Sequence, residues 1–138
     1  MTRITLAALA LTAGLIATPA FADEHKHADE GQKVTPKLVK ELSDIPGKEA
    51  MVLTVELAPG YVSKAHRHDA HTFVYMLEGE VDMQVAGGPL THLKPGDTFY
   101  ENPTDVHTVA TNTSSSNSAK FLVVFVKNKG APPVLPAK

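Results

Sequence analysis

The sequence has no cysteine and no tryptophan, and only 6% of its residues are aromatic. Without cysteine a chain of this size gains no disulfide bonds, so a closed sheet, a bound metal or a dimer has to supply part of its stability. An excess of positive charge is also lacking, since 15 acidic residues stand against 13 basic ones. That balance argues against nucleic acid or an anionic membrane as a partner.

The first residues have the pattern of an export signal. Arg3 provides a positive charge, residues 4–17 are mostly apolar, and an A-x-A cleavage site ends at Ala22. Because the apolar stretch is short for a membrane span, we expect residues 1–22 to be cleaved. The mature chain is then periplasmic or secreted and has no membrane attachment. Residues 23–33 are polar and charged, which predicts a mobile arm.

Short apolar segments separated by turn residues fill the rest of the chain. Residues 51–57 alternate between apolar and polar side chains, which is typical of a strand with one buried face. The pattern predicts an all-β sandwich or barrel over residues 34–128, followed by a Pro-rich tail at 129–138. The predicted strands are 38–42, 51–57, 72–77, 80–85, 90–93, 98–101, 106–110 and 121–126.

A cluster of histidines is the most informative motif in the chain. His66 and His68 are two residues apart, so on a strand their side chains project from the same face. His107 on a neighbouring strand can complete a facial set of three imidazoles around one divalent metal ion. Neutral imidazole suits zinc, copper, iron and nickel, so the spacing predicts a metal site.

These histidines lie in two segments that resemble the two motifs of the cupin family. The first motif, G-x5-H-x-H-x3–4-E-x6-G, is matched in spacing by Gly60, His66, His68 and Gly79, and the second by Gly96 and His107. The resemblance covers roughly residues 38–127. It implies a single-domain jelly-roll barrel with a metal in its mouth, of the type-2, quercetin-dioxygenase-like kind.

The sequence departs from the family's pattern at the fourth metal ligand. Thr72 stands where the first motif has a glutamate. Glu101 occupies a position where the family usually has an apolar residue facing the interior, so its carboxylate is expected to be buried beside the metal as fourth ligand or as catalytic base. His71 is a second candidate, although strand alternation turns it away from the face of His66 and His68 unless a bulge re-aims it. A water molecule is the remaining alternative.

Two functions are compatible with this site. Similar small cupins include dioxygenases, so the resemblance implies an enzyme that binds a small enolic or phenolic compound through one divalent metal ion per chain. The alternative is a non-enzymatic module that binds a metal or a small ligand. Iron, manganese, nickel, zinc and copper are all candidate ions. The resemblance also implies a homodimer, which an edge strand at residues 38–42 would favour.

Overall fold

The computed structural model describes residues 30–137, which form β-strands joined by turns and loops. The predicted signal peptide at residues 1–22 and the polar arm up to residue 29 lie outside the described residues. Within residues 30–137, no helix is long and apolar enough to cross a membrane. The strands of this part of the chain are β1 (Gln32–Glu41), β2 (Lys48–Leu57), β3 (His66–Arg67), β4 (Ala70–Glu78), β5 (Val81–Val85), β6 (Thr91–Leu93), β7 (Thr98–Glu101), β8 (Val106–Thr111), β9 (Ala119–Asn128) and β10 (Leu135–Pro136).

The strands form two antiparallel sheets of five strands each. The first sheet has the order β1-β2-β9-β4-β7, and the second has the order β10-β3-β8-β5-β6. The chain passes between the two sheets several times, so most strands pair with strands distant in sequence. This arrangement confirms the predicted all-β jelly-roll fold.

The hydrophobic core lies between the two sheets and follows the alternation of the sequence. A fully buried valine, leucine, methionine or phenylalanine side chain contributes about 1.5–3 kcal/mol relative to an exposed one. The shared core is therefore the main stabilising feature. The inward-facing residues of β2, β4, β5 and β9 form most of it: Leu53, Val55, Leu57, Val74, Met76, Val81, Met83, Phe121, Val123 and Phe125.

Two strands extend into segments that the sequence predicts to be an arm and a tail. β1 begins at Gln32, whose backbone pairs with that of Leu57, so two residues assigned to the polar arm belong to the first sheet. β10 lies within the tail at 129–138 and pairs with β3. Most side chains of both strands are exposed or only half-buried. Because backbone hydrogen bonds hold these strands in place, the apolar pattern of the sequence gives little sign of them.

Candidate metal centre

The second sheet brings the three predicted histidines together. His66 on β3 is the cross-strand partner of His107 on β8, and His68 follows His66 by two residues. One ring nitrogen from each histidine lies within 4.8 Å of the others. Among residues 30–137, this is the group of histidine and acidic side chains with the geometry to hold a metal ion.

Glu101 reaches the same point from the opposite sheet. It ends β7 in the first sheet, and only 2% of the residue is exposed. Its Oε2 lies 3.8 Å from Nε2 of His68, and its Oε1 lies 3.3 Å from Nδ1 of His107. The carboxylate therefore adjoins two of the three histidines and closes the cluster on the side of the first sheet.

Burial shifts the protonation of this cluster. Desolvation, aided by the charge of Asp105, raises the pKa of Glu101 to about 8. Desolvation lowers the pKa of His107 to about 3, with repulsion from His66 and His68 adding to it. The pKa of His68 falls to about 4 for the same main reason. Near pH 7 both of these histidines are neutral, which is the form that binds a metal.

Three polar atoms of the cluster lack hydrogen-bond partners. Within the described residues, Oε2 of Glu101 and both ring nitrogens of His107 are buried without one. A buried polar atom left unpaired costs about 1–3 kcal/mol, so such atoms are rare in folded proteins unless a bound group satisfies them. Imidazole nitrogens with a nearby carboxylate are a suitable ligand set for a divalent transition metal, so these residues fit the ion that the fold implies.

Two of the histidines are already oriented for that role by their other ring nitrogen. Nδ1 of His66 lies 2.8 Å from the carbonyl oxygen of Lys64, and Nδ1 of His68 lies 2.7 Å from that of Pro133. Since a carbonyl oxygen only accepts, each Nδ1 carries the proton and donates it. Nε2 of both rings is thereby left as the ligand atom, as in most histidine metal sites.

His71 does not join the cluster. It lies on the outer, exposed side of β4, where its Nδ1 is 2.6 Å from the hydroxyl of Tyr100. The only irregularity in the pairing of β4 with β9 lies near the other end of the strand, after Met76, so no bulge turns His71 inward. The sequence-based hypothesis that His71 takes part in the chemistry gains no support from this placement.

The aromatic and backbone groups that hold the rings are not predicted by any motif of the sequence. Phe125 on β9 packs against His68 with ring centroids 4.9 Å apart, and Phe99 on β7 stacks on His107 at 6.0 Å. Both face inward by strand alternation, which could have indicated contact with the site. Nothing in the sequence pointed to the carbonyl oxygen of Pro133.

Comparisons with known proteins agree with this architecture. Residues 53–125 match the family model described as a cupin domain. A comparison with curated proteins found no match. Among solved structures, the chain is similar to the DMSP lyase DddQ from Ruegeria pomeroyi DSS-3, with 27% identity and a TM-score of 0.55 over 62% of this chain. It spans only 42% of that lyase.

Two further solved structures share the fold at lower identity. An RmlC-like cupin from Shewanella frigidimarina NCIMB 400 has 19% identity and a TM-score of 0.51, and the match covers 67% of this chain and 86% of that protein. The polyketide cyclase RemF from Streptomyces resistomycificus has 22% identity and a TM-score of 0.56, and the match covers 78% of this chain and 74% of that protein. The family match spans most of the two sheets and includes all three histidines, and the chain therefore belongs to the cupin family.

Proposed function

We propose that this chain is an exported metalloprotein that holds one divalent metal ion through His66, His68 and His107, with Glu101 beside it. The observation that carries the proposal is the set of buried, unpartnered polar atoms on Glu101 and His107. A cation at their centre would satisfy Oε2 of Glu101 and one ring nitrogen of His107. Iron, manganese, nickel, zinc and copper are the candidate ions, because all bind nitrogen-rich sites.

The proposed activity is a dioxygenase-like reaction on a small enolic or phenolic compound. A divalent metal bound here would act as a Lewis acid towards the oxygens of such a compound. Glu101 would take the hydroxyl proton of the compound, since it is the carboxyl group that adjoins His68 and His107. Phe99 and Phe125 would shield the site from water. The names of two similar structures, a lyase and a cyclase, support an enzymatic use of this fold.

A non-enzymatic metal-binding or ligand-binding module is the second candidate. The contacts of Glu101 with both His68 and His107 favour it, because a carboxylate this close can complete the coordination shell. With Glu101 as a ligand, no free carboxylate would remain near the ion to act as a base. A closed shell of this kind is typical of structural sites, whereas catalytic sites keep an open position.

Metal content separates these outcomes. Protein would be purified from its native compartment and its metal measured by mass spectrometry. We expect stoichiometric metal in the wild type and in His71→Ala, and loss of metal in the double variant His66→Ala/His107→Ala. A wild type that stays metal-free even after reconstitution would overturn the metal-dependent forms of both candidate functions.

The variant Glu101→Gln distinguishes the enzyme from the binding module. If Glu101 is the base, the variant keeps its metal but loses oxygen uptake with enolic and phenolic compounds. If Glu101 is a ligand, the variant loses metal affinity, and the wild type shows no oxygen uptake with these compounds. The ion found in the wild type is the one to use in these assays.

Export is proposed from the first 22 residues. Their positive charge, apolar run and A-x-A site are what supports it. We expect the mature protein to begin at Asp23 and to be found in the periplasm or the medium. Cell fractionation and mass determination of the intact protein test this, and a cytoplasmic protein that retains residues 1–22 would contradict it.

A homodimer formed through β1 is also proposed. β1 is an edge of the first sheet, and its Val34, Leu38 and Val39 are all about half exposed. Pro36 lacks an N–H and the register shifts beside it, so new strand pairing would be confined to residues 38–41. Light scattering should show a dimer that Val39→Asp dissociates and that Leu90→Asp, an exposed change elsewhere, does not.

A further inference from the structure

The chain after β9 folds back along His68 and β3, beside the metal centre, and is held there at several points. Residues 131–136, here called the C-terminal strap, follow a turn at Gly130, where φ is +72° and the N–H of Ala131 donates to the carbonyl oxygen of Asn128. Nζ of Lys127 donates to the carbonyl oxygen of Ala131 at 2.6 Å. Lys127 is only 3% exposed and forms an ion pair with Glu49, so this first anchor is rigid.

The second and third anchors of the strap are on His68, directly after β3, and on β3 itself. The carbonyl oxygen of Pro133 accepts a hydrogen bond from Nδ1 of His68 at 2.7 Å. Leu135 then pairs with Arg67, and Pro136 with His66, which adds β10 to the edge of the second sheet. Six residues of chain are thus attached both to a candidate ligand side chain and to the backbone that carries it.

The strap supplies the hydrogen-bond acceptor for Nδ1 of His68. A neutral imidazole exists in two tautomers, and only the one with its proton on Nδ1 leaves the Nε2 lone pair free. In His66 that proton is held by a carbonyl two residues away, whereas in His68 it is held by one that is 65 residues away. Nε2 of His68 then faces Glu101 at 3.8 Å.

We propose that the C-terminal strap is a positioning element of the metal centre, in which the Pro133 carbonyl fixes the tautomer and orientation of His68 and thereby raises metal affinity. The proposal rests on the proposed metal-binding function. Partners of the second ring nitrogen commonly change metal affinity by about 10–100-fold when they are removed. We expect a loss in that range when the strap is detached.

Two variants detach the strap by different means. Leu135→Asp places a charge on a half-buried residue of β10 and keeps the chain at full length. Removal of residues 132–138 eliminates the Pro133 carbonyl and β10 but keeps the carbonyl carbon and oxygen of Ala131 for Lys127. Leu90→Asp is the matched control, because it makes the same substitution at a leucine that is 58% exposed and lies between β5 and β6.

The first readout is the tautomer of His68 in the metal-free protein, measured by nitrogen-15 NMR of the histidine rings. The wild type and Leu90→Asp should show the proton of His68 on Nδ1, and both strap variants should show a mixture with Nε2. An unchanged His66 tautomer, which depends on the local carbonyl of Lys64, would show that the effect is specific to His68. This readout needs no metal, so it tests the strap even if the chain binds none.

The second readout is zinc affinity by competition with a chelator. We expect Leu135→Asp and the truncated chain to bind about 10–100-fold more weakly than the wild type, with Leu90→Asp unchanged. A strap variant with wild-type affinity would overturn the proposal, and so would a loss of affinity with the His68 tautomer unchanged. A wild type that binds neither zinc nor another divalent ion would instead overturn the proposed function.

Discussion

Thr72 on β4 and Glu101 on β7 are cross-strand partners, and both side chains are buried. Thr72 occupies the position of the glutamate in the family's first motif, and directly paired residues in a sheet project from the same face with their Cβ atoms about 5 Å apart. The carboxylate missing from β4 is therefore supplied from the neighbouring strand, beside His68 and His107.

The first prediction is that the carboxylate can be moved back across the strand pair. If Glu101 is a metal ligand, Glu101→Thr alone should weaken metal binding by at least about tenfold, because one charged group beside the ion is lost. Adding Thr72→Glu should restore most of the affinity, because a carboxylate then reaches the cluster from the partner position. Chelator competition with the single and double variants measures this. A double variant no better than Glu101→Thr would show that the two positions are not equivalent.

The second prediction concerns the pH dependence of the metal-free protein. The pKa values of His68 and His107 are lowered from 6.5 to about 4 and about 3, so their contribution to stability is present above pH 6.5 and is lost as the pH falls. The pKa of Glu101 is raised from 4.5 to about 8, so its contribution is present below pH 4.5 and is lost as the pH rises to about 8. Between pH 4.5 and 6.5 the rise in stability from the two histidines exceeds the fall from the one carboxyl group. Stability therefore increases with pH up to a maximum near pH 6.5.

Urea denaturation with a chelator present, repeated across the pH range, measures this profile. Glu101→Gln should remove the decrease between pH 6.5 and 8 and leave the decrease at acid pH. A wild type whose stability keeps rising from pH 6.5 to 8 would show that the buried carboxyl group is already ionised there.

The residues of the centre differ in how far the sequence predicts them. The common face of His66 and His68 is predicted from strand alternation, although β3 ends at Arg67 and His68 lies directly after it. The burial of Glu101 follows from its position in the second motif. The pairing of His66 with His107 depends on the register of β3 and β8, which are far apart in sequence, and here only the family's motif spacing made the prediction possible.

Other parts of the site cannot be predicted from the sequence, because they depend on contacts that leave no local pattern in it. The burial of Lys127 depends on Glu49, which is 78 residues away, and a lysine at that place in a strand otherwise predicts a solvent-exposed end. The contact of Pro133 with His68 uses a backbone carbonyl, which every residue has. A Pro-rich tail gives no apolar period from which such a contact could be inferred.

The third prediction concerns an exposed histidine on β6, His92, which pairs with Asp82 on β5. Nδ1 of His92 lies 2.5 Å from Asp82 and Nε2 lies 3.0 Å from Glu80, and these hydrogen bonds raise the pKa of His92. Its contribution to stability is therefore present below pH 6.5 and is lost as the pH rises through the raised value. His92→Gln should lower the melting temperature at pH 5.5 and have little effect at pH 9. An equal effect at both values would show that packing of the ring, and not its charge, is what matters.

The last prediction concerns Gly79, which closes the family's first motif at the turn between β4 and β5. Its φ is +70°, and a Cβ there would lie 2.7 Å from the carbonyl oxygen of Ser118 and 2.8 Å from Cα of Ala119. Gly87 has a similar φ of +78° but nothing within 4 Å of such a Cβ. Gly87→Ala should therefore lower the free energy of unfolding by about 1–2 kcal/mol, which is the cost of the left-handed backbone conformation for alanine. Gly79→Ala should lower it by the same amount and by about 1–3 kcal/mol more, because the added Cβ overpacks against the backbone at the start of β9. Equal losses for the two variants in urea denaturation would mean that the turn and β9 can move apart at little cost.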